Sequence, residues 1–295
     1  MKFSLLAIVA LQALSAFAMI NGTPVDKSYE AIGSIRTYDM ANGSSCTATL
    51  IAPDWIVTAE HCVWGGSEEN PEQLKPSQMF FQLGPDSHKP IKSVKLRKWI
   101  SAPEGLDVSF AQLAQPITNV TPIPVSLDLS RFRDTSKVYE VVGYGYQGVS
   151  GYGSKSGFKG MAKYKVTSMN ANPLLSIFKS KNNFQSFLDK AFQGEEADML
   201  LGDETLIPGY QVHAWDDTGR MKGILTKKPA KGWSNTCNGD SGGPMIETTP
   251  AGKKVVGIIS GGFTGMTMGC VPVGSKISIF GTSVQNEFKK TGIKP

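Results

Sequence analysis

What the chain lacks narrows it first. Its four cysteines include no close Cys-x-x-Cys pair, the spacing structural zinc sites need, so a zinc module is excluded. After Leu14 there is no long apolar run, and with it no candidate transmembrane helix. The formal charge of +5 over 295 residues is mild and unclustered, which leaves no basic face for nucleic acid. No internal repeat or low-complexity segment occurs, so solenoids and repeat arrays are excluded.

What is present begins at the N-terminus. Met1-Lys2, an apolar run from Phe3 to Leu14, and Ser15-Ala16-Phe17-Ala18 form the pattern of a secretory signal peptide cleaved after Ala18. The run is too short to cross a bilayer, and no cysteine follows Ala18 to accept a lipid. Residues 1–18 are therefore expected to be removed, and the remaining chain to be secreted, extracellular or periplasmic, with no membrane partner. An oxidising destination favours two disulfides. Spacing favours Cys46–Cys62 and Cys237–Cys270 among the three connectivities that four cysteines allow.

Residues 19 to 295 suffice for one large domain or two small ones. Short β-rich runs separated by Gly, Pro, Asn and Asp dominate, as in antiparallel sheets and barrels. Ser34 to Met40 and Ser45 to Ile51 flank Asn42-Gly43, a hairpin signal, and Pro53-Asp54 turns into Trp55 to Thr58. Further expected strands are Ser93 to Ile100, Val108 to Leu113, Lys137 to Tyr144, Lys159 to Thr167, Tyr210 to Trp215, Lys254 to Ser260 and Lys276 to Phe280. One stretch breaks the pattern. Asn172-Pro173 reads as a cap and first helical position, and Phe184, Phe187, Leu188, Ala191 and Phe192 recur at helical spacing before Gly194. Two short helices across 173 to 194, and another from Ser283 to Lys290, are expected.

The chemistry lies in two motifs. Cys237-Asn238-Gly239-Asp240-Ser241-Gly242-Gly243-Pro244 sets a serine among glycines that permit a sharp turn and close approach of a carbonyl. Trp55-Ile56-Val57-Thr58-Ala59-Glu60-His61-Cys62 supplies a histidine, the usual base for a hydroxyl that is too weakly acidic to react unaided. Together, in this order, they resemble the trypsin/chymotrypsin family of serine endopeptidases. Leu106-Asp107-Val108-Ser109-Phe110-Ala111-Gln112-Leu113 is similar to the family's segment around the orienting carboxylate.

The resemblance implies an all-β fold of two antiparallel six-stranded Greek-key β-barrels. Residues 19–128 would carry His61 and Asp107; residues 129–295 would carry Ser241, a helical insertion near 168–205 and the C-terminal helix. It implies Ser241 as nucleophile, His61 as general base, Asp107 as its orienter, and the backbone N–H groups of Gly239 and Ser241 as the oxyanion hole. Asp240 would pair with a freed N-terminal amine. Met19-Ile20-Asn21-Gly22 resembles the family's N-terminal segment and directly follows Ala18, so signal cleavage alone would create that amine. The family's first residue is β-branched, and Met19 departs from it.

For substrate binding the resemblance places Asn235, six residues before Ser241, at the base of the primary pocket, where trypsin-like members carry aspartate. A neutral residue there argues against Arg or Lys before the scissile bond. Ser260 and Gly262 would pair with extended substrate as an added strand. Gly262 and Gly274 would leave the pocket open, and Gly261 stands where a bulky tryptophan is common. Between Gly145 and Ser241 the chain is roughly 40 residues longer than compact members, beyond ordinary loop lengths. Glu60 replaces a small residue and is expected to face solvent, as is His88. Expected partners are protein or peptide substrates and proteinaceous inhibitors, with the chain a monomer that needs no cofactor or metal. Glu68, Glu69 and Glu72 fall in a loop where some relatives bind calcium, but read here as a solvated acidic face. Asn21, Asn42 and Asn119 begin glycosylation sequons. Two other readings compete: a non-catalytic homologue that binds through the same fold, and an esterase using the same triad, against which counts a nucleophile that follows its histidine in sequence.

Overall fold

The computed structural model describes residues 19–37, 46–66, 71–103, 106–148, 155–169, 172–191, 197–202, 205–216, 234–264 and 270–294. The expected signal segment, the Asn42-Gly43 turn, Glu68, Glu69, Phe192 and Gly194 lie outside them. Among the described residues no helix is long and apolar enough to cross a membrane.

The first barrel contains β1 (Ile32–Thr37), β2 (Cys46–Ala52), β3 (Trp55–Thr58), β6 (Met79–Leu83), β7 (Lys92–Ser101) and β8 (Ser109–Leu113), with β4 (Trp64–Gly66) and β5 (Pro71–Gln73) forming a separate hairpin. The second contains β9 (Val138–Gly143), β10 (Gly160–Ser168), β11 (Gln211–Asp216), β12 (Pro244–Thr249), β13 (Gly252–Thr264) and β14 (Cys270–Ile279). Both close in one circuit. The first runs β1-β2-β3-β8-β7-β6 and the second β9-β10-β11-β14-β13-β12, every pair antiparallel. In each, the fourth strand returns to lie beside the first, the Greek-key arrangement.

Alternation explains the closure. In β10, Ala162, Tyr164 and Val166 are buried while Lys163 and Thr167 face out. In β7, Val94 and Leu96 turn inward between Lys95 and Arg97. A period of two places one apolar set inside each barrel. Each barrel has its own core, one around Leu50, Phe81 and Phe110, the other around Tyr139, Tyr164 and Ile277. Besides the β4–β5 hairpin, two barrel strands lay outside the sequence expectation. Met79–Leu83 alternates cleanly but is only five residues long, and Pro244–Thr249 is hidden by the glycine-rich turn before it.

Among the described residues the helical stretch contains three helices, α1 (Pro173–Phe178), α2 (Lys181–Ala191) and α3 (Ala197–Gly202), and α4 (Thr282–Lys290) lies near the C-terminus. The Asn172 side chain makes no capping hydrogen bond, contrary to expectation, and Lys179 in the left-handed region ends α1 instead. Phe178, Phe184 and Phe187 pack on one another and, with Leu174, Leu188 and Ala197, on Trp215 and Val273 of the second barrel. The disulfides are Cys46–Cys62 and Cys237–Cys270.

Candidate active site

His61 lies in a single 3-10 turn, Glu60–Val63, immediately after β3, and the Cys46–Cys62 disulfide ties that turn back to β2. Asp107 sits just before β8, the partner of β3, so strand pairing brings the two residues together. The Asp107 carboxylate accepts the His61 backbone N–H at Oδ1 (2.9 Å) and faces His61 Nδ1 with Oδ2 at 2.8 Å. The Ser260 hydroxyl, from β13 of the other barrel, donates to the same Oδ2 at 2.7 Å. Burial alone would raise the Asp107 carboxyl, but the hydrogen bonds and charge of His61 and the Ser260 hydroxyl outweigh it and hold it below its ordinary range. For His61, burial acts downward, while the hydrogen bond and charge of Asp107, and then the charge of Glu60, raise it. The ring remains half exposed.

Ser241 arrives from the second barrel on the turn that precedes β12. Asp240 N–H donates to the Cys237 carbonyl at 3.0 Å and Gly243 N–H to the Asp240 carbonyl at 2.9 Å, which coils the chain around the serine. Gly242 has a φ of +77°, and a Cβ there would meet Thr58 Oγ1 at 2.2 Å and the Thr47 carbonyl at 2.3 Å. No other residue fits that seam between the barrels. Thr47 of β2 stitches it. Its N–H donates to the Ser241 carbonyl (2.8 Å) and its hydroxyl to the Gly239 carbonyl (2.9 Å). Sequence reasoning had no signal for Thr47, since one threonine in a strand looks like any other. It also read Ser260 for its backbone and missed its hydroxyl.

Two features of the serine turn stand out. Among the described residues, no protein acceptor takes the N–H of Gly239 or of Ser241, and no hydrogen bond joins the Ser241 hydroxyl to His61. The Cys62 sulfur lies 3.8 Å from His61 Nε2 instead. Asp240 is fully buried. Its carboxylate accepts the N–H of Gly145 (2.7 Å) and of Cys237 (2.9 Å), yet burial pushes its pKa up to about 7. Met19 is fully buried in the second-barrel core, and Ile20 pairs with Asn235 through N–H···O bonds of 2.8 and 3.1 Å.

Asn235 is completely buried and its carboxamide is turned onto the fold: Nδ2 donates to the Thr236 carbonyl (2.7 Å) and Oδ1 accepts the N–H of Gly274 (3.0 Å). Gly274, at φ +91°, leaves no room for a Cβ, which would lie 2.5 Å from the Ala214 carbonyl and 2.8 Å from the His213 ring. Gly262 lies across from Thr236, with space for a Cβ at 3.5 Å from its hydroxyl. The structure thus brings Asn235, Gly262 and Gly274 around one segment, 235–236, six residues upstream of the serine.

Glu60 corrects an expectation. Rather than facing solvent, Oε1 accepts the Trp64 indole N–H (2.9 Å) and the Ser101 hydroxyl (2.7 Å), while Oε2 is buried without a partner among the described residues. The β4–β5 hairpin carries Trp64 over it. His88, by contrast, is half exposed, bound to Asp86 at 3.0 Å and away from the site. His61, Cys46 and Cys62 form a close group of metal-ligating types, but both sulfurs are consumed in the disulfide and offer no thiolate.

Comparison with known proteins agrees with the two-barrel fold. A family model described as Trypsin matches residues 25–171 and 212–280. A trypsin-like protease of Streptomyces glaucescens is 25% identical over 246 residues, covering 81% of this chain and 73% of that protein. The family match is interrupted where α1, α2 and α3 lie.

Proposed function

Because this chain belongs to the trypsin family, we propose that it is a secreted serine endopeptidase that hydrolyses peptide bonds through Ser241, His61 and Asp107. The observation that carries the reading is the doubly anchored Asp107, held by His61 from one barrel and by Ser260 from the other, beside a serine turn in which the N–H groups of Gly239 and Ser241 have no acceptor among the described residues.

Each group has a role its environment suits. Asp107 fixes the tautomer with the proton on Nδ1, so Nε2 is free to take the Ser241 proton as the hydroxyl attacks a carbonyl carbon. Asp107 also stabilises the imidazolium that forms. The negative oxygen of the tetrahedral species would be received by the N–H groups of Gly239 and Ser241, typically a major part of such catalysis. His61 then returns the proton to the leaving amine; water, activated by the same base, releases the acyl group.

The absent Ser241–His61 hydrogen bond favours a second reading, a weak or inactive homologue that acts by binding. We read it instead as the state that precedes N-terminal pairing. A fully buried carboxyl raised by burial calls for a cation, and cleavage after Ala18 would supply one as the Met19 amine. Met19 is unbranched and flexible, so its fit is looser than that of a β-branched residue.

The primary pocket would prefer a neutral side chain, because Asn235 carries no charge and spends its carboxamide on Gly274 and Thr236. Digesting a peptide library with protein whose Met19 terminus has been verified tests both points. Cleavage after neutral residues, lost in Ser241→Ala, is expected. Cleavage after Arg or Lys contradicts the pocket argument, and no cleavage at all favours the binding homologue.

A further inference from the structure

One fully buried titratable group takes no part in this chemistry. His213, in β11, is sealed from solvent, and burial lowers its pKa to about 4, so the ring is neutral at working pH. Its Nε2 donates to the Val273 carbonyl at 2.7 Å, which fixes the tautomer and leaves Nδ1 to accept the Thr167 hydroxyl at 2.5 Å. Thr167 sits where the β10–β11 register shifts, between Val166 and Ser168. The ring edge lies directly behind Gly274, close enough to exclude a Cβ there.

Val273–Gly274 is therefore held from three sides. The Val273 carbonyl is bound by His213, and the next N–H, of Gly274, is bound by Asn235. The Val273 side chain is packed into the cluster of Phe178, Phe184, Phe187 and Trp215 formed with α1 and α2. Those helices occupy the stretch the family model leaves unmatched, 172 to 211. The peptide that lines the proposed pocket is thus secured by an imidazole of β11 and by a helical unit that lies outside the family match.

We propose that His213 is a positioning residue for substrate selection: by clamping Val273 from behind, with the inserted helices as the other jaw, it sets the wall opposite Asn235 and so the side chains accepted before the scissile bond. This rests on the reading of Asn235 and Gly274 as pocket residues in a working peptidase. His213 touches neither substrate nor reacting atoms. Its loss therefore moves binding of the preferred side chain and leaves the serine machinery intact.

The test compares wild type, His213→Phe, His213→Gln and Thr167→Val, each with active sites counted by a fluorophosphonate before kinetics on a peptide library. For His213→Phe, KM for the preferred peptide is expected to rise roughly tenfold, with kcat per titrated site little changed and the selectivity profile flattened. His213→Gln, which can still donate to Val273, is expected to recover most of the profile. Thr167→Val, which keeps the ring but removes the hydroxyl that Nδ1 accepts, shifts KM in the same direction by less. If His213→Phe does not fold, Thr167→Val and the Gln variant carry the test. A lower melting temperature with unchanged KM and profile in every variant that folds overturns the proposal, as does a fall confined to kcat. A wild type that titrates with fluorophosphonate but shows no variant effect sinks this inference alone; a wild type with no titratable serine removes the peptidase reading beneath it.

Discussion

The two halves of the site are unequally finished. On the first-barrel side, His61 and Asp107 are joined twice, Asp107 is anchored again by Ser260, and its carboxyl is held below the ordinary range. On the second-barrel side, among the described residues, no hydrogen bond joins the Ser241 hydroxyl to His61 and no acceptor takes the N–H of Gly239 or Ser241, while Asp240 is a buried carboxyl raised to about 7. Strand pairing and one disulfide bring His61 and Asp107 together, and Ser260 of the other barrel adds one further anchor. Among the described residues no cation pairs with the Asp240 carboxylate, and the proposed function has the Met19 amine supply one. On that reading, control of the site lies in the second barrel.

The largest test of that contrast strikes the finished half. Asp107→Asn keeps the shape but allows the wrong His61 tautomer, and kcat is expected to fall by roughly ten-thousandfold. A fall of less than about tenfold would mean that His61 is oriented by something other than Asp107.

The next test strikes the unfinished half through pH. A carboxyl whose folded pKa lies above its ordinary 3.8 holds its proton more tightly when folded. Its favourable contribution is therefore full at low pH and is lost as pH rises from about 4 to about 7. A shift of this size corresponds to on the order of 4 kcal/mol. A free Met19 amine paired with the carboxylate would cancel that loss. Melting curves of processed chain and of chain retaining residues 1–18 are expected to separate most near pH 7 and converge toward pH 4. Coincident curves at pH 7 would break the comparison.

The smallest effect concerns Glu60, which sharpens the account of the base. Its charge adds to that of Asp107 in raising His61 against burial. Glu60→Gln removes it, so the acid limb of kcat/KM is expected to move to lower pH while KM changes little. A limb that stays in place would show the carboxylate to be screened by Trp64 and Ser101.

The barrel strands were legible where apolar residues alternate over a long run, as in Lys92–Ser101 and Gly160–Ser168, but not in the five-residue Met79–Leu83, and both disulfides follow the spacing. The residues that join the barrels were not. Thr47 and the Ser260 hydroxyl act across a seam between segments roughly 150 to 200 positions apart, and no local pattern records such a pairing. Glu60 misled because an acidic residue next to a half-exposed histidine reads as a surface charge until a distant hairpin lays Trp64 on it. His213 carried no motif at all. Its partners, Thr167 and Val273, come from two other strands of its barrel.

The most direct measurement is fluorophosphonate labelling followed by mass spectrometry of the modified peptide, on processed chain with a verified Met19 terminus and on chain retaining residues 1–18. The account predicts a single adduct on Ser241, near one per processed chain and far less in the unprocessed form. A processed chain that takes no label, or takes it at a residue other than Ser241, would contradict it.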